Sequence, residues 1–193
     1  MCIRDSDLST SFDGASWKKP GEESWTLFWH VDHDARHPPN FRVYQSTVAL
    51  STIDDSSGGI QFASGSHLFH EQFMKMFDTE RMYEGWEFVQ IPEEVLTQFK
   101  FEKPSVNPGD MILWDSRCTH RVVSGDIGGE RKVVYLCYVP RYFVSNATRK
   151  ERKKAFRLGI SSTHWPHRFL DRGAKRVPPS KEIQKDKLCV SLV

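Results

Sequence analysis

Between His30 and Pro38 the chain carries three histidines, His30, His33 and His37, and two aspartates, Asp32 and Asp34. In an extended segment alternate residues share a face. His30 and Asp32 therefore project side by side, with Val31 pointing the other way. An imidazole nitrogen beside a carboxylate oxygen can take two adjacent positions on a divalent metal. His33 and Asp34 fall on opposite faces and make a poorer chelating pair. A second histidine from elsewhere would complete a two-histidine, one-carboxylate set. That set leaves one face of an octahedral ion open and suits non-haem Fe(II) oxygen chemistry. A tetrahedral zinc site would more usually draw on thiolates or further histidines. The pair alone says little: with 8 histidines and 13 aspartates in 193 residues, chance supplies about half an H-x-D per chain. Its bland reading is a solvated loop pair or a structural hydrogen bond.

The segment that could complete the site is NPGDMILWDSRCTHR, residues 107 to 121. A turn, a strand and a short link lead to His120, which puts an imidazole near a strand end, where a barrel mouth would lie. Arg131 follows eleven residues later and opens the next strand. Its planar fork matches the two oxygens of a carboxylate. Charge-assisted bonds of that kind contribute roughly 1.5 to 3 kcal/mol each, enough to orient a small dicarboxylate. Lys132 points to the opposite face, and alternation alone does not say which of the two is inside. The remaining chemistry-bearing residues have plainer readings. His67 reads as a loop hydrogen-bonder, His33 and His37 as rim residues that could touch substrate, and His164 and His167 as exposed tail residues. Asp115 and Arg117 either pair across a turn or contact substrate.

These side chains need a scaffold, and the pattern is β-rich. Trp25 to His30 is dense in β-formers, Pro38-Pro39-Asn40 breaks the chain, and FRVYQSTVALSTI, 41 to 53, is a long strand candidate. DDSSGG is a turn cluster. Ile60 to Ala63 reads as a short strand, and Ser66 to Asp78 and Glu93 to Phe99 as short helices or loops. Asn107-Pro108-Gly109-Asp110 is a turn signal that launches Met111 to Asp115 as a buried strand. Gly125 to Gly129 is a loop, and Arg131 to Val139 is the last strong strand. After Pro140 the pattern changes to a basic helix over about 147 to 157 and a Pro-containing tail. Many short strands with turns between them and few helices point to a sandwich or barrel.

Composition narrows the class. A hydrophobic fraction of 38% and an aromatic fraction of 12% indicate a globular chain, long enough for one sizeable core. No apolar run approaches the ~18 residues that span a membrane. Cys2, Cys118, Cys137 and Cys189 lack CxxC spacing, which argues against a zinc knuckle or disulfide framework and favours a reducing, cytoplasmic location. Charge is uneven: residues 1 to 140 hold 13 Lys and Arg against 21 Asp and Glu, and residues 141 to 193 hold 14 against 4. The run RKERKKAFRLG, 149 to 159, reads as the solvated face of a surface helix. No stacking platform or nucleic-acid motif accompanies it, so no nucleic-acid partner is expected. The opening MCIRDS has no apolar region of a signal peptide. It matches the translation of a transposase mosaic-end adapter, so residues 1 to 6 are expected to be non-native and the chain an N-terminal truncation.

Taken in order, His30-Val31-Asp32, GGIQFASGSH at 58 to 67, PGDMILWDSRCTH at 108 to 120 and Arg131 resemble the phytanoyl-coenzyme A dioxygenase family of Fe(II)- and 2-oxoglutarate-dependent oxygenases. The resemblance runs from about Trp25 to Val139. It implies a mainly β fold, a double-stranded β-helix or cupin-like jelly roll, as an oxygenase core over 7 to 145 with the basic helix and tail over 146 to 193. It implies iron held by His30, Asp32 and His120, Arg131 on the distal carboxylate of 2-oxoglutarate, and Gln45 and Thr47 as further co-substrate contacts. It implies O2 as oxidant and hydroxylation of a small-molecule substrate with release of succinate and CO2. An intact Asp32 implies hydroxylation over halogenation. The chain departs from the family at Ser64, where Pro is frequent, at Thr47, where an aromatic is common, and at Val122, where a hydroxyl often helps hold the carboxylate and Ser124 is the nearest substitute. The alternative is a metal-binding jelly-roll protein without turnover.

Overall fold

The computed structural model describes residues 8–11, 14–33, 37, 42–77, 88–171 and 176–186. The adapter-like residues 1 to 6, Asp34 and the Pro38-Pro39-Asn40 break lie outside this set. In chain order the strands are Leu8–Thr10 (β1), Ala15–Lys18 (β2), His30–Val31 (β3), Tyr44–Ala49 (β4), Gly59–Ala63 (β5), Val89–Gln90 (β6), Phe101–Glu102 (β7), Met111–Asp115 (β8), His120–Val123 (β9) and Arg131–Pro140 (β10). The α-helices are His70–Met76 (α1), Asn146–Leu158 (α2) and Lys181–Lys185 (α3).

The chain forms two compact units, residues 1–15, 42–47 and 134–193 in the first and 16–41 and 48–133 in the second. The second contains a complete antiparallel sheet of order β6-β3-β9-β5-β7. Its longest ladder joins β5 to β9 from Gly59↔Val123 to Phe62↔His120. The short strand β3 lies between β6 and β9, with His30 opposite both Gln90 and His120. Trp29, Val31, Ala63, Phe73, Met74, Val89, Ile91 and Leu96 form one core cluster here. Ile60, Phe62, Ile112 and Cys118 form another, with Trp114 and Val122 packed against it.

The other sheet has the order β1-β10-β4-β8, with β2 also paired to β10. Within the first unit β1 pairs antiparallel with β10 from Leu8↔Pro140 to Thr10↔Tyr138. The helix α2 belongs to this unit. Ser145 caps it by accepting the Thr148 amide, and Gly159 ends it in the left-handed conformation at φ 67°, the usual device for satisfying the last carbonyls.

Local chemistry explains where expected elements changed. Of the β-forming run 25 to 30 only His30 joins a strand, because the ladder partners begin there. The candidate strand 41 to 53 is regular only over Tyr44–Ala49, and Ile53 makes a separate bridge to Val106. The strand Met111–Asp115 forms as expected but is buried on one face only, since Met111 and Leu113 are exposed. The turn before it holds: the Asp110 amide donates to the Asn107 carbonyl at 3.0 Å, Asp110 Oδ2 accepts the Asn107 amide at 2.8 Å, and Gly109 takes φ 94°. The strands β1 and β2 had no sequence signal assigned to them.

Candidate metal centre

His30 and His120 are directly opposite one another on antiparallel strands. Residues so paired send their side chains to the same face of the sheet. Their ring centroids are 4.4 Å apart. Asp32, two residues beyond His30, brings its Oδ2 to 3.4 Å from His120 Nε2. All three groups are buried. They offer one ligand atom each, all within 4.8 Å of one another.

The donors suit a divalent ion. His30 Nδ1 donates to the Phe28 carbonyl at 3.0 Å, and His120 Nδ1 donates to the Cys118 carbonyl at 3.0 Å. A carbonyl can only accept, so Nδ1 carries the proton in both rings and Nε2 keeps its lone pair for a metal. Two ligand atoms each ~2.1 Å from one ion at right angles stand about 3 Å apart, close to the observed separation of the carboxylate and imidazole. Phe28 and Phe88 pack on His30, with centroids at 5.9 and 5.3 Å, and Phe62 and Trp114 pack on His120 at 6.3 and 5.4 Å. These rings exclude water and lower the local dielectric, which strengthens ion–ligand attraction.

The other expected residues are placed as follows. Arg131 is half-buried at the start of β10, in the same unit as the three clustered groups. Gln45 and Thr47 are buried on β4 in the other unit, on one face by alternation. Val122 is half-buried on β9. The Ser124 hydroxyl is engaged with Thr26 Oγ1 at 3.2 Å. Asp115 and Arg117 close on each other across their turn, Nε to Oδ1 at 2.8 Å and Nη2 to Oδ2 at 2.6 Å.

His33 is not a rim residue. It is 3% exposed, and its Nδ1 meets Ser116 Oγ at 2.9 Å. Its ring neighbours His37 and His70, with centroids at 4.7 and 5.1 Å. Burial pushes its pKa down from 6.5 to about 3, and the positive potential of His37 and His70 adds to the effect. His70 is lowered as well, mainly by burial, and its Nε2 donates to the His33 carbonyl. His164 and His167 are half-buried around the fully buried Trp165 rather than exposed. Sequence reasoning assigned no role to Ser66, His70 or Ser116, although Ser66 and Ser116 lie within the quoted motifs. Their types are ordinary in loops, and only the tertiary contacts single them out.

Comparison with known proteins adds a family, a relative and two solved structures. The family model described as phytanoyl-CoA dioxygenase (PhyH) matches residues 8–122. The Ava biosynthesis cluster protein O of Aspergillus versicolor is 28% identical over 176 residues, 85% of this chain; the chain spans 57% of that relative's length. The EctD of S. alaskensis with bound Fe superposes with a TM-score of 0.52 at 20% identity, over 69% of this chain and 45% of that one. The same protein with 2-oxoglutarate and 5-hydroxyectoine gives 0.50 at 19% identity, over 89% and 54%. This likeness establishes the fold as mainly β, of the double-stranded β-helix, jelly-roll kind.

Proposed function

Since the chain belongs to the phytanoyl-CoA dioxygenase family, we propose that it serves as an Fe(II)- and 2-oxoglutarate-dependent dioxygenase that hydroxylates a small organic molecule. The observation that carries this reading is the convergence of His30, Asp32 and His120 within 4.8 Å, two imidazoles and one carboxylate with both Nδ1 protons already spent on backbone carbonyls. That donor set, with half the coordination sphere open, suits non-haem Fe(II). The related EctD structures were obtained with Fe and with 2-oxoglutarate and 5-hydroxyectoine, the metal and co-substrate proposed for this chain.

Bound at this site, Fe(II) with 2-oxoglutarate and O2 supplies the power to hydroxylate a C–H bond, one oxygen atom entering the product and the other leaving in succinate as CO2 is lost. The protein's residues set the geometry. His30 and His120 present Nε2 from opposite strands, and Asp32 supplies the anionic position and neutralises one positive charge. Arg131 is assigned the distal carboxylate of the co-substrate, which its fork can grip bidentately. Gln45 and Thr47 are put forward as co-substrate contacts on the family resemblance. Phe28, Phe62, Phe88 and Trp114 keep water from the clustered donors. Retention of Asp32 favours hydroxylation, because a carboxylate in that position leaves no place for a halide. A reducing, cytoplasmic setting goes with this proposal; Cys118 and Cys137 are both buried.

The test is 2-oxoglutarate turnover with added Fe(II) and ascorbate, first alone and then against a panel of small metabolites. Succinate above the enzyme-free background, raised by a true substrate and returned to background in His120→Ala, is the expected result. Metal binding through His120 with no succinate under any condition would leave a binding protein instead of an enzyme.

A further inference from the structure

The ladders that hold the metal centre stop short of one of its ligands. The strand β3 ends at Val31, opposite Val89, and its pairing to β9 is the single match His30↔His120. Asp32 stands one residue past the last paired position. The sheet fixes the two histidines against each other but does not by itself fix the carboxylate.

A short segment spans the gap. Gly65, in the left-handed conformation at φ 86°, opens a 3-10 turn over Ser66–Phe69, which runs directly into α1. Ser66 is fully buried, and its Oγ accepts the amide of Thr119 at 2.8 Å. Thr119 immediately precedes His120. Four residues on, His70 Nε2 donates to the carbonyl of His33, which immediately follows Asp32. One turn of helix thus grips the backbone next to His120 with one end and the backbone next to Asp32 with the other. Three further contacts brace the backbone on either side of the segment and the helix that follows it. His33 Nδ1 bonds Ser116 Oγ. The Ala63 amide donates to the Thr119 carbonyl at 3.0 Å. Phe73 and Met74 of α1 are buried in the same cluster as Trp29 and Val31, which flank His30. Four residues of helical backbone make a spacer of roughly 6 to 8 Å whose length is set by its own hydrogen bonds.

We infer that Ser66 and His70 are positioning residues that set the separation of Asp32 from His120, and so tune metal affinity. The inference rests on the metal-centre reading above. Groups that orient metal ligands from behind change affinity by about 10- to 100-fold when removed.

The experiment is an anaerobic titration of the metal-free chain with Co(II), read from its visible ligand-field bands, alongside the apo-protein melting temperature. His70→Leu and Ser66→Ala are each expected to weaken Co(II) binding about 10- to 100-fold and to alter the band shape. His70→Gln, whose amide can still donate to the His33 carbonyl, is expected to stay within about threefold of the unaltered chain. Ser57→Ala removes a buried hydroxyl that bonds Asp54 away from the metal centre. It is the control for general loosening and should lower the melting temperature without moving affinity. Unchanged affinity in Ser66→Ala and His70→Leu, or a loss no larger than that of Ser57→Ala, overturns the inference. If His70→Leu does not fold, Ser66→Ala decides by itself: wild-type affinity rejects the strut and a tenfold loss supports it. Co(II) binding that is absent, or indifferent to His120→Ala, overturns the metal centre and the strut together. Binding through His120 with unaltered variants overturns the strut alone.

Discussion

Asp115 and Arg117 illustrate how much one side-chain pair can do in the turn that leads from β8 to the strand bearing His120. Their two parallel bonds at 2.8 and 2.6 Å are the bidentate geometry in which a guanidinium binds a carboxylate best. Burial alone would raise the Asp115 pKa, but hydrogen bonds and charge from Arg117 outweigh it and the net shift is downward. Its stabilisation is therefore present above the ordinary carboxylate pKa and lost as pH falls through the lowered folded value. Arg117→Met is expected to cost about 1 to 3 kcal/mol at pH 7, and denaturant titration at pH 7 and pH 3 should show the cost shrinking in acid. His70 has the corresponding behaviour for a base. Its pKa is lowered, chiefly by burial, so the unfolded chain binds the proton more readily. The stability this group contributes is complete above pH ~6.5 and declines as pH falls toward the lowered folded value. Denaturant midpoints at pH 7.5 and 5.0 should differ less in His70→Gln than in the unaltered chain; an equal difference would mean that folding does not lower the His70 pKa.

At the scale of elements, the loop before Arg131 is held as tightly as a strand. The Asp126 amide donates to the Ser56 carbonyl at 2.6 Å, and Lys18 Nζ donates to the carbonyls of Asp126 and Gly129 at 2.8 and 2.5 Å. The two backbones approach so closely that a Cβ on Gly129 would lie 2.1 Å from the Ser56 carbonyl oxygen, and one on Gly125 would lie 2.3 Å from the Gly58 nitrogen. Gly128, in the same loop, has open space around it. Gly129→Ala is expected to destabilise by about 1 to 3 kcal/mol through forced backbone separation, and Gly128→Ala to change stability by less than about 0.5 kcal/mol. Thermal melts of the two variants compare them directly. On the proposed role of Arg131, which this loop delivers to the start of β10, Gly129→Ala should also weaken 2-oxoglutarate binding more than Gly128→Ala does. The sequence marked Gly125 to Gly129 as a loop, but glycine content alone could not say which glycine lies against another backbone.

Across the whole chain, six of the fourteen basic residues after position 140 fall in the helix α2, where they serve two ends. Three of these six, Lys150, Lys154 and Arg157, face solvent. Arg152 faces inward with Ala155, is fully buried, and donates through Nη2 to the Thr10 carbonyl. Burial draws its pKa down from 12.5 to about 10, still high enough to keep it charged at neutral pH. Within this unit it ties α2 to β1. Arg152→Met is expected to cost about 1 to 3 kcal/mol, which for a chain of this size is a fall of roughly 2 to 4 °C per kcal/mol in the melting temperature. Lys154→Glu should shift it by less than one such step. Equal effects from the two substitutions would show that charge, not the inward contact, governs this helix.

The family and its mainly β architecture were legible because they rest on local pattern: β-branched runs between turn signals, an H-x-D on one extended segment and a histidine after a turn and strand. The helix α2 was legible for the same reason, the change of pattern after Pro140 and the basic run both being local. What only the tertiary structure decided is everything that depends on which strands become neighbours. The antiparallel register of β3 and β9 sets His30 against His120. The one-sided burial of Met111–Asp115 and the early end of β3 follow from ladder partners that no periodicity reveals. The inward turn of His33 and the hydrogen bonds from Ser66 and His70 to the backbone beside His120 and Asp32 belong to the same class. Side-chain type and spacing specify which groups can do chemistry; the distance between them is a property of strand pairing and packing, which join residues far apart in the chain.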